Sequence, residues 1–339
     1  MSRLRRILRS VIPLWIRNLF RDLMERAYWH SAGSAADLPK YGLTRTQVYP
    51  FGRNFIPVLR EATAGKLNGL ALTPTTPVAS IGTCFAEEFA IFMRKHGYNY
   101  ISTEPDVFYA SAKWGRVYTI PNFLQIVRYS FEQDFPLEIE KGPTGWFDAT
   151  REHSVGTYAS KEAAESAIQS HRIASREAFS SASVLILTVG QNEAWVDVNS
   201  GLIWAQIPPR ETLHAEGRRF EAREFTYEEN TSALVGALET LFRISPRLQV
   251  LITVSPVASY ATFCDTDVVS QSLANKCLLR IVVRDVLKRY PGKVFYFPSF
   301  EMVLGLNQDS FRADNRHVKH ARVDKIFETL KQTTGLMDR

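Results

Sequence analysis

The chain has 339 residues, of which 45% are hydrophobic and 22% are charged, and its formal net charge is +6. This composition excludes disordered, collagen-like and coiled-coil proteins. No run of about 18 apolar residues indicates a transmembrane helix. The three cysteines are too few for a disulfide framework, and the N-terminus shows no secretory pattern. We therefore expect a cytoplasmic protein.

The first 26 residues carry most of the positive charge, with seven arginines against two acidic residues. Leu4, Leu8, Trp15 and Leu19 share one face at helical spacing, so residues 1–30 are predicted to form a basic amphipathic leader helix. One interpretation is a helix whose residues 1–26 bind an anionic membrane, which would place the protein peripherally on the inner membrane surface. The other is a helix docked on its own domain or on a partner. The rest of the chain is nearly neutral, which argues against a nucleic-acid partner.

Residues 31–75 show little periodicity and are predicted to be an irregular segment that wraps the main domain. Residues 76–335 then alternate between short apolar runs and helical stretches. The runs are predicted strands at 78–81, 184–189, 250–254 and 294–297, and the helices are predicted at 84–96, 160–180, 226–246 and 267–289. This alternation predicts an α/β domain with a parallel sheet between two helix layers, whose site lies at the carboxyl ends of the strands. Residues 98–160, rich in Trp, Tyr, Pro and Gly, are predicted to be an irregular insertion over that edge.

The first chemical motif, Gly82-Thr83-Cys84-Phe85-Ala86, follows the first predicted strand. Thr83 is a suitable N-cap for the next helix. Cys84 then lies at the helix N-terminus, where the helix dipole is expected to lower its pKa and favour a thiolate nucleophile. The alternative is an inert cysteine packed between helix and sheet.

Two further motifs follow later strands. In Gly190-Gln191-Asn192-Glu193, the Asn192 amide is a candidate oxyanion donor or, alternatively, a turn residue. Asp314 and His317 are three residues apart, so the carboxylate can orient the imidazole as a general base; a solvated pair on a loop is the alternative. The remaining histidines show no metal-ligand spacing and no phosphate-binding glycine loop is present, so neither a metal nor a cofactor is predicted.

Taken together, these motifs resemble the GSCFA domain family of the SGNH (GDSL-like) hydrolase superfamily. The Gly82–Ala86 motif differs by one residue from the Gly-Ser-Cys-Phe-Ala sequence that names the family, because Thr83 stands where the family has serine. The resemblance spans roughly residues 48–320. It implies a three-layer, flavodoxin-like α/β/α fold that acts on acyl esters.

The resemblance also implies roles for individual residues. It makes Cys84 the nucleophile, with Thr83 as the alternative, and Asp314 and His317 the acid and base pair. It implies Gly115 and Asn192 as oxyanion donors, and we predict Glu193, Trp195 and Trp114 as substrate-binding residues. Trp146 and Trp204 are further candidates for a sugar-stacking wall.

The sequence thus predicts an ester hydrolase or O-acyltransferase, with an acylated carbohydrate or another small ester as its substrate. The second hypothesis is a non-catalytic glycan-binding or scaffold module that keeps the fold, with Thr83 as a sign of lost activity.

Overall fold

The computed structural model describes residues 42–47, 49, 55–105, 110–152, 155–305, 310–334 and 336, with positions 13, 16, 19 and 23. The predicted leader helix, 1–30, lies outside the described residues except at those four positions, so its membrane binding stays a prediction. The chain divides into two compact units, residues 1–62 and 63–339. In the first, a short 3-10 helix spans Arg45–Gln47, and a longer helix, Phe55–Lys66, begins. That helix occupies part of the segment 31–75, which was predicted to be irregular.

Helices and strands alternate along the second unit as the sequence predicts, and both are numbered here in chain order. From residue 42 onwards, the described helices longer than one turn are α1 (Phe55–Lys66), α2 (Cys84–Lys95), α3 (Ile120–Phe131), α4 (Lys161–Ser181), α5 (Arg210–Glu216), α6 (Tyr227–Ile244), α7 (Val268–Arg289), α8 (Ser299–Gly305) and α9 (His320–Thr334). The strands are β1 (Val78–Gly82), β2 (Ile139–Gly142), β3 (Gly145–Asp148), β4 (Val184–Val189), β5 (Glu193–Asp197), β6 (Ile203–Trp204), β7 (Phe220–Glu224), β8 (Gln249–Val254) and β9 (Val294–Tyr296).

The central sheet has the order β1-β4-β8-β9, and all its neighbouring strands are parallel. Tyr100 adds a parallel bridge to Val78 on the outer side of β1. The resulting spatial order is the 2-1-3-4-5 order of flavodoxin-like folds. The four predicted strands and the predicted flavodoxin-like α/β fold are therefore confirmed.

Helices cover both faces of this sheet, because β1, β4 and β9 are buried along their whole length and β8 along all but its first residue. On one face, Ile81, Leu187 and Ile252 pack with Phe123 of α3 and Leu238 of α6. On the other face, an aromatic cluster joins the helices to the sheet. Its rings are Phe85, Phe89 and Phe92 of α2, Phe297 after β9, and Phe327 of α9.

The segment 98–160 is more regular than predicted. It contains α3, which is capped by the Thr119 hydroxyl and buries Ile120, Phe123 and Val127, and the antiparallel hairpin β2–β3. A separate antiparallel sheet, β6-β5-β7, follows β4. Both small sheets supply residues to the rim of the site.

Among the described residues, no helix combines the length and hydrophobicity required to cross a membrane.

Candidate active site

A cavity of about 1110 Å³ lies where β1, β4 and β8 end. Five of the residues predicted for the site line it: Thr83, Cys84, Glu193, Trp195 and His317. The four others, Trp114, Gly115, Asn192 and Asp314, do not line it. The predicted position at the carboxyl edge of the sheet matches the position of this cavity.

Cys84 is the first residue of α2 and is partly exposed to the cavity. Burial raises the pKa of its thiol above the ordinary value, and the nearby Glu87 carboxylate adds to this. The positive charges of Arg116, Lys276 and Arg316 act in the opposite direction. The lowered pKa that we expected from the helix position is therefore not observed, because desolvation exceeds these favourable charges.

Thr83 is 2% exposed, and its hydroxyl is held by hydrogen bonds. Its Oγ1 accepts a hydrogen bond from the N–H of Phe85 at 3.1 Å and lies 3.0 Å from Oγ1 of Thr188. Thr83 therefore caps α2, as predicted. This bonding leaves Thr83 less suited than Cys84 to attack a substrate.

The Asp314 and His317 side chains form the hydrogen bond that their spacing predicts. Nδ1 of His317 lies 2.5 Å from Oδ2 of Asp314, and the Oδ1 atom accepts from the backbone N–H groups of Arg316 and His317. These bonds hold the pKa of Asp314 well below its usual range. Because Nδ1 is engaged, Nε2 is the ring nitrogen left to exchange a proton in the cavity.

Lys276 lines the same cavity and was missed by the sequence analysis. It extends from α7, is 3% exposed, and its Nζ donates to the Gly190 carbonyl at 2.5 Å. Burial lowers the pKa of this amine to about 7. Its spacing from Leu279 and Val283 places a charged residue on the apolar side of a helix, which is the signal that could have revealed it.

Comparison with known proteins identifies the family of this chain. The family model described as the GSCFA family matches residues 77–330. The chain belongs to the GSCFA family. A search of curated proteins found no match.

Three solved structures show weaker similarity to this GSCFA protein. A family 3 carbohydrate esterase of Clostridium thermocellum has 10% identity and a TM-score of 0.36, covering 76% of this chain and 94% of its own. A carbohydrate esterase family 3 protein from Talaromyces cellulolyticus has 9% identity and a TM-score of 0.37, covering 78% and 100% respectively. An acetyl esterase mutant with an acetate ion has 10% identity and a TM-score of 0.35, covering 76% and 95%.

The structure does not support an oxyanion role for Asn192 in this GSCFA protein. The residue is 0% exposed, and its Nδ2 donates to the Phe225 carbonyl at 2.7 Å and to Glu224 at 3.3 Å. Its Oδ1 accepts from Asn230 at 2.6 Å. Both amide hydrogens are engaged outside the cavity, whereas the neighbouring Gln191 lines it.

Two other predicted residues also lie elsewhere. Trp114 is 1% exposed and packs on Phe179 in the core, where its indole N–H donates to Ser175, so it is not a substrate-binding residue. Gly115 has a φ of +69° and lies against Glu152, and its neighbour Arg116 reaches the cavity instead. Arg116 forms ion pairs with Glu87 at 2.9 Å and Glu152 at 3.1 Å.

Part of the cavity wall is aromatic. Trp195 of β5 pairs with Trp204 across the strands, and the Trp195 ring meets Phe263 edge to face at 5.0 Å between centroids. The indole N–H groups of both tryptophans are buried and have no partner among the described residues. Glu193, on the same strand, accepts hydrogen bonds from Thr262 and Cys264. Of the four tryptophans predicted for a sugar-stacking wall, Trp195 and Trp204 line the cavity, whereas Trp114 and Trp146 do not.

Proposed function

We propose that this protein cleaves acyl esters, as a hydrolase or an O-acyltransferase, with Cys84 as its nucleophile. The observation that carries the proposal is the common cavity of Cys84 and His317, in which Asp314 fixes the imidazole. A nucleophile, a base and a group that orients the base are the three parts of a covalent acyl-transfer site.

The reaction has two steps. In the first, Nε2 of His317 takes the thiol proton, and Sγ of Cys84 attacks the ester carbonyl carbon. The carbon–oxygen bond to the leaving group breaks, and the proton passes from His317 to the leaving alkoxide. In the second, His317 removes a proton from water or a sugar hydroxyl, whose oxygen attacks the thioester and releases the thiol.

The negative oxygen formed during both steps needs hydrogen-bond donors. The backbone N–H of Cys84 at the start of α2 is one, since helix N-termini favour negative charge. The Gln191 side chain is the second, because it lines the cavity while the Asn192 amide is engaged elsewhere. Each donor of this kind contributes about 3 kcal/mol to stabilisation of the transition state.

Acylated carbohydrate is the proposed substrate class. Trp195 and Trp204 both line the cavity, and their apolar rings suit stacking against a sugar ring. With water as the acyl acceptor the protein is an esterase, and with a sugar hydroxyl it is an O-acyltransferase.

The test is the mass of the intact protein after brief exposure to p-nitrophenyl acetate, followed by peptide mapping. We expect an acetyl group on Cys84, and hydroxylamine should release it because a thioester is labile. The same adduct should not form in His317→Ala. Acetylation of Lys276 would be distinguished by its resistance to hydroxylamine, because it would be an amide. An adduct on Thr83 would move the nucleophile by one residue. A folded protein without any adduct would favour the non-catalytic binding module.

A further inference from the structure

Arg316 is a cation of the cavity wall to which the proposed reaction assigns no role. It directly precedes His317 in the chain, and both residues line the cavity together with Cys84. Consecutive Cα atoms are about 3.8 Å apart, so Arg316 lies beside the residue that transfers protons. A charge at this position faces the part of a substrate that is close to the reacting ester bond.

Two contacts hold the Arg316 side chain in place. Its Nε and Nη2 atoms donate to the Ala258 carbonyl at 3.3 and 3.1 Å, and the guanidinium lies over the Tyr260 ring, 5.1 Å from its centroid. Ala258 and Tyr260 belong to the segment after β8 and also line the cavity. A guanidinium held in this way loses little conformational freedom when it binds a ligand.

The guanidinium keeps hydrogen-bond donors for a ligand. Its Nη1 atom has no partner among the described residues, and none of their carboxylates forms an ion pair with Arg316. Asp314, two residues earlier, accepts from the backbone N–H of Arg316, but its other oxygen is bonded to His317. The planar fork of an arginine matches the two oxygens of a carboxylate, so the free side of this group suits an anionic ligand.

The other charged side chains of the cavity wall are less suited to this task. Arg116 forms ion pairs with two carboxylates, and Lys276 is buried and donates to a backbone carbonyl. Arg210 and Glu211 are exposed at the start of α5, and Glu193 accepts two side-chain hydrogen bonds. Within the described part of the cavity wall, the cation that lies beside His317 without a carboxylate partner is Arg316.

We propose that Arg316 is a specificity-determining residue that binds a carboxylate of the substrate. The inference rests on the proposed function and narrows its substrate class to esters that carry a negative charge near the reacting bond. The carboxylate belongs either to the acyl group, as in the half-ester of a dicarboxylic acid, or to the sugar, as in a uronic acid. Arg316 binds and orients this group and takes no part in proton transfer.

The test compares kcat/KM for charged and neutral esters in the full-length protein. One pair is monobenzyl succinate and benzyl succinamate, in which an amide replaces the carboxylate of the acyl group. The other pair is an O-acetylated methyl glucuronoside and the matching methyl glucoside, which differ in the charge of the sugar. We expect a preference for the charged member of one pair. Arg316→Gln should lower that ratio by about 30-fold, because hydrogen bonds to a charged group are lost.

Two further variants make the test specific. Arg316→Lys should keep part of the preference, because the charge remains while the planar fork is lost. Arg312→Gln is the matched control, since Arg312 donates to the Val318 carbonyl on the same segment but does not line the cavity. It should keep the ratio of the natural protein. The pair of esters that responds to Arg316→Gln identifies whether the carboxylate lies on the acyl group or on the sugar.

The proposal is wrong if the natural protein prefers neither charged ester, or if Arg316→Gln lowers kcat/KM equally for both members of a pair. If the natural protein cleaves no ester, the proposed function fails, and calorimetric binding of succinate and of methyl glucuronoside tests Arg316 separately. Binding that is lost in Arg316→Gln and kept in Arg312→Gln would support the contact. Equal binding by the natural protein and Arg316→Gln, or no binding by the natural protein, would reject it.

Discussion

The two sides of the Cys84 cavity are built differently. On the open side, the His317 and Asp314 side chains are about two-fifths exposed and are joined by a single side-chain hydrogen bond on a loop. On the closed side, Thr83, Gly190 and Lys276 are buried against the strand ends, with Thr188 bonded to both the N–H and the hydroxyl of Thr83. Changes on the open side should therefore alter chemistry with little effect on folding, whereas changes on the closed side should alter folding as well.

The largest effect is expected on the open side. His317→Ala should lower ester turnover by about 10⁴-fold, because the thiol loses its proton acceptor and the leaving group its donor. The thermal unfolding midpoint should stay close to that of the natural protein, since the imidazole is exposed. His320→Ala, three residues further along at the start of α9, is the control and should retain turnover. Comparable losses in both variants would argue against a specific role for His317.

On the closed side, the next largest effect is expected at the turn that leads from β1 to α2. Gly82 has a φ of +142°, and a Cβ there would lie 2.2 Å from the Thr188 backbone oxygen. Gly82→Ala should therefore lower the free energy of unfolding by about 4 kcal/mol, measured by urea denaturation. Gly292→Ala is the control, because φ is +75° there but no atom lies within 4 Å of the added Cβ. Gly292→Ala should lower the free energy of unfolding by about 1 kcal/mol. Equal losses in the two variants would show that the positive φ, and not the contact with Thr188, causes the destabilisation.

The third prediction assigns different roles to the adjacent residues Gln191 and Asn192. Asn192→Ala removes buried hydrogen bonds to Phe225 and Asn230, and should lower the free energy of unfolding by about 2 kcal/mol. Gln191→Ala should leave stability nearly unchanged and lower turnover by about 10²-fold as an oxyanion donor is lost. Denaturation curves and turnover numbers of the two variants check this directly. If Asn192→Ala instead lowered turnover and left stability unchanged, Asn192 would be the oxyanion donor that its motif suggested.

Features with a local sequence signature were predicted correctly, whereas contacts between residues distant in the sequence were not. The four strands were predictable because β-branched and aromatic runs buried on both faces have a local signature. The Asp314–His317 bond was predictable because it spans three residues. The bonds of Asn192 reach residues 33 and 38 positions away, so no local pattern shows that its amide is engaged.

Some of the other features that were not predicted had a signal in the sequence. Thr119-Ile120-Pro121 is a typical helix start, followed by apolar residues at helical spacing, so α3 was recognisable in the segment taken as irregular. The position of Trp114 was not recognisable, because a tryptophan beside Gly115 fits a core as well as a binding wall. Lys276 was recognisable as a charge on the apolar side of a helix, but the nearby Thr83 and Gly190 follow β1 and β4, which are distant in the sequence.

The last prediction concerns the buried amine, whose effect on stability is small for each pH unit and accumulates with pH. Burial lowers the pKa of Lys276 to about 7 from an ordinary value near 10.5. Between these two values the unfolded chain binds more protons than the folded protein, so the contribution of this residue to stability rises with pH across that window. The natural protein should therefore gain stability relative to Lys276→Met by about 1.4 kcal/mol per pH unit in the middle of the window. Urea denaturation of both proteins at several pH values measures the difference. If the difference in the free energy of unfolding between the two proteins did not change with pH, the pKa of Lys276 would be the same in the folded and unfolded states. Burial on the closed side of the cavity would then not lower this pKa.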